Sequence, residues 1–366
     1  MSGMTITDTS PTPTLGTASS GQTGSTATCS TDCTTSLSAA ILITGLRASA
    51  AIDHVSVIGA AGDWDGAWNM ANAIFIGGLT LPTGSTNPIA DIIPLTGTFS
   101  VTNGVFTNQE TGSFAARLRN SNVAFCDNTV TAPLGPTAPY GTVPLAAWDV
   151  SNTNVLFSGN RGTDYIDYAL GVIQGVSESS LSPSTAEITD NNFQLFNGGS
   201  GVLVDDHLVP NSLSATISGN AFQYLTPTVP TWVIISVSLN SVLISKNVIQ
   251  GSSPQFSAGV YITDGPGTVS GNTITGASTG VWVDSASGVT VKGNIVRDSG
   301  QYGIALTSTN ADLLPVPPPA SSNNFIIGNF VHGSGVYDLY WDQATGSTNN
   351  HWCGNTYTTS NTALSC

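Results

Sequence analysis

The chain has 366 residues, of which 40 are Gly, 22 are Asp or Glu and 7 are Lys or Arg, for a formal net charge of −15. So few cations exclude a nucleic-acid binder, because phosphate contacts need clustered Lys and Arg and Arg117 with Arg119 is the only close basic pair. No run of 18 apolar residues occurs, so no membrane-inserting helix is expected, and 40% hydrophobic residues exclude wholesale disorder.

Residues 1–36 are rich in Ser, Thr, Gly and Pro and lack periodicity. This is the composition of a low-complexity arm, and self-assembly through residues 1–36 is the partner it suggests. Met1 to Thr5 shows neither a basic nor an apolar signal region, so a signal peptide is absent or already removed. Cys29 and Cys33 lie four apart, and Cys353 and Cys366 bracket the C-terminal tail. Both pairs are expected to be disulfide staples, leaving Cys126 free. Neither pair has a third and fourth ligand nearby, which argues against zinc. Disulfides imply an oxidising compartment, so an extracellular or cell-surface location is expected.

Residues 37–96 read as an N-terminal cap and the first coils, with strands around Leu42-Ile43-Thr44 and Val55-Ser56-Val57-Ile58. Asp63-Trp64-Asp65-Gly66-Ala67-Trp68 reads as a capping loop. Two Asp flanking a Trp would also suit a Ca²⁺ or a sugar contact, and no other cofactor or metal is expected.

From 97 to 357 one motif recurs: apolar, polar, Gly or small, Asn. It reads Phe125-Cys-Asp-Asn128, Phe157-Ser-Gly-Asn160, Ile188-Thr-Asp-Asn191, Ile217-Ser-Gly-Asn220 and Ile244-Ser-Lys-Asn247. It continues through Asn272, Asn294, Asn329 and Asn355 at intervals of 22 to 35 residues, and Val101-Thr-Asn-Gly104 is a version with the last two swapped. A second motif, Gly then alternating apolar residues, appears at Gly201-Val-Leu-Val-Asp205, Gly259-Val-Tyr-Ile-Thr263, Gly280-Val-Trp-Val-Asp284 and Gly303-Ile-Ala-Leu-Thr307. Short period-2 strands at such intervals form coils that cannot bury their inner faces alone, so they must stack. Asn suits the turn because it tolerates the left-handed conformation and can hydrogen-bond from coil to coil. Pro315 to Pro319 reads as a loop bulging from the rod, and 358–366 as a tail.

These two motifs together resemble the right-handed parallel β-helix repeat of the pectate-lyase-like superfamily. That group includes polysaccharide lyases, polygalacturonases, mannuronan epimerases and phage tailspikes. The resemblance implies an all-β solenoid of about ten or more coils, with any site on the outer surface in a groove walled by turn insertions. Aligning the second motif by its Gly puts Leu203, Tyr261, Trp282, Ala305 and Tyr340 in one outward column. Asp205, Thr263, Asp284, Thr307 and Asp342 form the next. An exposed stripe of Tyr261, Trp282 and Tyr340 beside Asp205, Asp284 and Asp342 would suit a sugar, since aromatic faces stack on pyranose rings and carboxylates bind hydroxyls or act as acid and base. The same residues are also good strand formers, and outward Asp keeps a sheet soluble.

Asp205-Asp206-His207 is the densest titratable cluster and the candidate catalytic group, because two carboxylates and an imidazole can divide acid and base roles. Vicinal Asp residues resemble those of polygalacturonases, but that family's Asn-Thr-Asp, Gly-His-Gly and Arg-Ile-Lys motifs are absent. Arg119 and Arg161, one coil apart by alignment, are the cations that could neutralise a uronate. The expected function is an extracellular β-helix acting on or binding a polysaccharide or cell-surface glycan. The alternative is a non-catalytic structural or adhesive β-helix, such as a filament or spike subunit. The excess of acid favours neutral glycans.

Overall fold

In the computed structural model of the chain, the described residues are 5–7, 37–43, 49–58, 70–76, 96–107, 112–131, 145–164, 168–173, 183–196, 200–206, 212–226, 232–237, 239, 241–251, 256–263, 265–309, 320–344, 347–364 and 366. They form three parallel sheets of eleven strands each, and successive strands of the chain are dealt to the three sheets in turn. Each coil therefore contributes one strand to each face of a solenoid. The stacking of coils is as the recurring motifs predict, and the number of faces, three, is fixed by the structure. We name the faces by their position relative to the Asn motif. The pre-turn sheet includes Leu213–Ser218 and Ser241–Ser245, the post-turn sheet includes Ala221–Thr226 and Val248–Gly251, and the long-strand sheet includes Phe256–Thr263 and Ala277–Asp284.

Period-2 patterning fixes the register, because a one-residue slip would turn every apolar side chain outward. Phe125, Phe157, Ile188, Ile217, Ile244 and Val269 are cross-strand partners in one column, and all are fully buried. The solenoid interior is thus built from stacked like residues, with Ser and Thr on the outward side of the strands and the motif Asn residues from Asn128 to Asn329 buried at the turn. At the N-terminal end Thr5–Thr7 pairs with Ser56–Ile58, and Leu37–Ile43 pairs with Met70–Ile76. The rest of residues 1–36, with Cys29 and Cys33, lies outside the described residues, as do Asp63, Asp65 and the Pro315–Pro319 loop.

The Asn residues stack as the motif predicts. From Asn128 through Asn160, Asn191, Asn220, Asn247, Asn272, Asn294, Asn329 and Asn355, each Nδ2 donates to the Oδ1 of the next at 2.9–3.1 Å. The same oxygens accept the backbone N–H one coil below, and each Nδ2 also reaches a strand carbonyl, as Asn220 does with Ile188 O at 2.9 Å. The left-handed residue, however, is the one before the Asn. Asp127, Gly159, Asp190, Gly219, Lys246, Gly271 and Gly293 have φ between 55° and 69°. The two tasks expected of Asn are split between neighbours: one residue turns the chain and the next bonds the coils together. This also explains the swapped copy, where Asn103 takes φ 54° and Gly104 occupies the ladder position, donating its N–H to Asn128 Oδ1 at 2.7 Å.

At the C-terminal end Trp352 closes the interior column, Leu364 packs against the core, and Cys353 is disulfide-bonded to Cys366. The bridge spans 13 residues, a loop for which chain entropy gives about 3 kcal/mol. Reduction is expected to loosen this cap locally, raising amide exchange over residues 356–361 while the ladder amides of Asn220 and Asn247 stay protected. Cys126 is a free, half-buried thiol on the outward face of the pre-turn sheet. Burial, and then the adjacent Asp127, raise its pKa above the ordinary thiol range. At pH 8 it is expected to react with iodoacetamide about tenfold more slowly than free cysteine, and at the free rate once unfolded.

Near the other end, Asp53 accepts hydrogen bonds from Thr102 Oγ1 at 2.8 Å and Asn103 Nδ2 at 2.9 Å, and pairs with His54 Nδ1 at 2.7 Å. Bonding from Asn103, then His54 and Thr102, lowers its pKa to about 2. A depressed carboxylate stabilises the fold above its unfolded pKa near 4, and this contribution is lost as pH falls towards about 2. An NMR titration of Asp53 should show a midpoint near 2, and a midpoint near 4 would mean the three bonds are not made.

Candidate functional site

The outward face of the long-strand sheet carries the columns expected of a site. Leu203, Ile235, Tyr261, Trp282, Ala305 and Tyr340 are successive cross-strand partners, as are Asp205, Val237, Thr263, Asp284 and Thr307. The face is not the open stripe expected. Tyr261 is 8% exposed and Asp284 2%, while Trp282, Tyr340 and Asp342 are half-buried. The alternation that separates inward from outward gives no information on what covers the outward side. Here the chain leaving the sheet folds back across it.

The carboxylates hold that returning chain. Asp284 Oδ1 accepts Thr307 Oγ1–H at 2.7 Å and Thr309 N–H at 2.8 Å, and its Oδ2 accepts Thr309 Oγ1–H at 3.1 Å and Tyr261 O–H at 3.4 Å. Trp282 Nε1–H donates to the same Thr307 hydroxyl at 2.7 Å, and its ring meets Tyr261 edge-on at 5.4 Å. Asp342 Oδ2 accepts Ser308 N–H at 2.7 Å, and its Oδ1 accepts Ala344 N–H at 3.0 Å. Asp284 and Asp342 thus clamp, from both sides, the chain leaving the strand Tyr302–Thr307 that lies between them.

Asp206, one residue past the strand Ser200–Asp205 and on its inward side, also holds backbone. It is fully buried, and its Oδ2 accepts the N–H groups of Ser212 and Leu213 at 3.0 and 3.1 Å, which aligns the start of the next pre-turn strand. Asp205 is half-exposed beside it, and His207 lies outside the described residues. Asp205 and Asp284 are three strands apart, about 14 Å, beyond the range of a glycosidase carboxylate pair. Arg119 and Arg161 are not neighbours in one sheet. Arg119 pairs with Ser151 in the long-strand sheet, and Arg161 pairs with Thr129 and Asn192 in the post-turn sheet.

The C-terminal end of the face is less covered than the part around Tyr261 and Asp284. Tyr340 stacks on Tyr302 with ring centroids 4.3 Å apart and an interplanar angle of 21°, and on Tyr337 at 6.2 Å and 20°. All three rings are half-buried. Ala305, the partner of Tyr340, leaves room for the ring to lean onto Tyr302. Burial, and then Tyr302, Asp342 and Tyr337, raise the Tyr340 pKa, so the phenol stays neutral and can donate. Tyr302 and Tyr337 escaped the sequence reading because both precede the motif's alternating stretch, although they are cross-strand partners.

A family model described as a right handed beta helix region matches residues 172–363. No curated protein matches by sequence. Among solved structures, the periplasmic alginate epimerase AlgG is similar at 11% identity, covering 87% of this chain and 72% of that one, with a TM-score of 0.45. An alpha-1,3-glucanase catalytic unit from Streptomyces thermodiastaticus is similar at 13% identity over 89% and 64% of the two chains, with a TM-score of 0.43. PfbA, a surface adhesin of Streptococcus pneumoniae, is similar at 11% over 87% and 81%, with a TM-score of 0.42. Likeness at this level is a likeness of fold.

Proposed function

The chain belongs to the right-handed β-helix family, and from that premise we propose that it is an extracellular rod that binds a neutral polysaccharide without cleaving it. One observation carries the reading: the C-terminal end of the long-strand face presents three stacked, half-exposed tyrosines, while the carboxylates of Asp206 and Asp284 are engaged by backbone and hydroxyl donors. Tyrosine rings offer a pyranose an apolar face and a polar rim at little entropic cost. A carboxylate held by several donors is poorly placed to shuttle a proton. The excess of 22 acidic over 7 basic side chains disfavours a uronate. The disulfide and the sparse charge support an oxidising, extracellular setting.

Affinity electrophoresis against a panel of neutral and acidic polysaccharides tests this. Retardation by a neutral glycan is expected, with Tyr340→Ala weakening it about tenfold or more, the loss of one stacking contact of about 1.4 kcal/mol. A reducing-end assay on the same mixtures should stay at baseline. Product formation that Asp205→Asn abolishes would replace the binding reading with hydrolysis.

A further inference from the structure

The outward face of the pre-turn sheet sorts its charges by position. Its eleven strands run from Ala50–Asp53 to His351–Cys353, with Leu213–Ser218 sixth and therefore central. Acid lies on one side of the centre. Asp53 ends the first strand, Asp127 follows the third, and Glu187 and Asp190 sit on and just after the fifth. Base lies on the other side. Lys246 follows the seventh strand, Lys292 ends the ninth, and His351 opens the eleventh. The second, fourth, sixth, eighth and tenth strands carry no ionisable side chain, and the remaining ionisable groups at this edge are His54, paired with Asp53, and the thiol of Cys126.

We propose that two copies of the chain associate back to back through this face, antiparallel, about a two-fold axis at Leu213–Ser218. A two-fold at the sixth strand brings the fifth against the seventh, the third against the ninth and the first against the eleventh. Glu187 and Asp190 then meet the second copy's Lys246, Asp127 meets its Lys292, and Asp53 with His54 meets its His351. Every contact occurs twice, as an isologous interface requires. A parallel arrangement would set like charge on like. The axis itself falls on Ser214, Thr216 and Ser218, whose short side chains let the two sheets approach.

Two further observations fit the same occupant. Large apolar side chains are exposed on the basic half: Leu243 at 39%, Phe325 at 40% and Ile327 at 38%. The tenth strand, which carries the last two, would cover the second copy's Ser100 and Thr102 on the second strand. The face is also the right size. Ten strand spacings of about 4.8 Å by five residues of about 3.3 Å give roughly 800 Å² per partner, the usual extent of a specific interface. Among the described residues, Glu187, Asp190, Lys246 and Lys292 make no ion pair within their own chain. This face is separate from the tyrosine end of the long-strand sheet, so either proposal can fail alone.

Sedimentation velocity on the full chain tests it with a charge-swap pair. Wild type should sediment as a dimer whose dissociation constant rises about tenfold or more between about 50 and 500 mM salt. Lys246→Glu with Lys292→Glu, and separately Asp127→Lys with Glu187→Lys and Asp190→Lys, should each be monomeric with unchanged circular dichroism. Mixed together, the two variants should recover a dimer, because Glu at 246 and 292 of one then meets Lys at 187, 190 and 127 of the other, while each Asp53 still faces a His351. A wild type that stays monomeric at low salt and high concentration would overturn the proposal. So would variants that dimerise as well alone as mixed, or a mixture that stays monomeric. Misfolding of either variant would itself show in circular dichroism, and the wild-type salt dependence then decides: a dimer indifferent to salt contradicts the charge pairing.

Discussion

Asn220→Ala is expected to lower unfolding stability by about 4 kcal/mol, among the largest single-residue effects in the rod. Asn220 is fully buried, donates to Ile188 O and Asn247 Oδ1, and accepts both the backbone N–H and the Nδ2–H of Asn191. Alanine removes all four contacts and leaves the Asn191 N–H and the Ile188 carbonyl without their side-chain partner in a dry interior. Each buried group stranded this way costs about 1–3 kcal/mol. Asn220→Asp should be no better, because it sets an acceptor against Ile188 O and Asn247 Oδ1. Asn355→Ala, at the half-buried end of the ladder, should cost about half as much because water can replace the lost partner. Guanidinium unfolding midpoints at constant slope provide the comparison. A loss below about 1 kcal/mol at Asn220 would mean that the ladder is incidental to stability.

Gly280→Ala is expected to cost about 3 kcal/mol, although an alanine would suit most strands. A Cβ at this position would collide with Val296 Cγ1 and lie 2.6 Å from the Gly303 carbonyl oxygen. The same crowding recurs at Gly259 against Ile274 and at Gly303 against Val331. In these three coils the post-turn sheet's Val or Ile fills the corner that this side chain would need. The glycine of the second motif is thus required by closure of the coil rather than by backbone conformation. Overpacking of this kind costs about 1–3 kcal/mol, and more where backbone must move. Adding Val296→Ala should recover about 1 kcal/mol relative to the sum of the single changes, since only one of the two clashes is relieved. Full additivity would show that the two residues do not compete for the same space.

These two cases also show what a reader of the sequence alone can and cannot see. The Asn column and the alternation of Val, Ile and Phe are periodic, so the stacked coils, the register of the motif strands and their inward side were legible down to the pairing of Tyr261 with Trp282. Division of labour at the turn was not, because Asp127, Gly159 and Lys246 share no chemistry and only their common φ identifies them. The outward columns were legible as columns but not as surface. Thr309, which folds back onto Asp284, lies two residues beyond the end of its own strand and carries no periodic signal. Asp206 read as a reactive pair with Asp205 because sequence adjacency was the only geometry visible. Its burial under the start of the next coil depends on a five-residue connection. The tyrosine stack was half legible, with Tyr340 in the alternating column and Tyr302 and Tyr337 outside it.

The location of the bound glycan is the most direct test of the reading. Hydrogen exchange should be measured over the whole chain with and without the polysaccharide that retards it most in electrophoresis. Protection is expected to centre on Tyr302–Thr307 and Tyr337–Trp341, to extend no further than the Asp342 clamp, and to leave Thr290–Lys292 and Phe325–Ile327 of the pre-turn sheet unchanged. Protection confined to another face, or spread around residues 200–206 with the tyrosine end untouched, would contradict it.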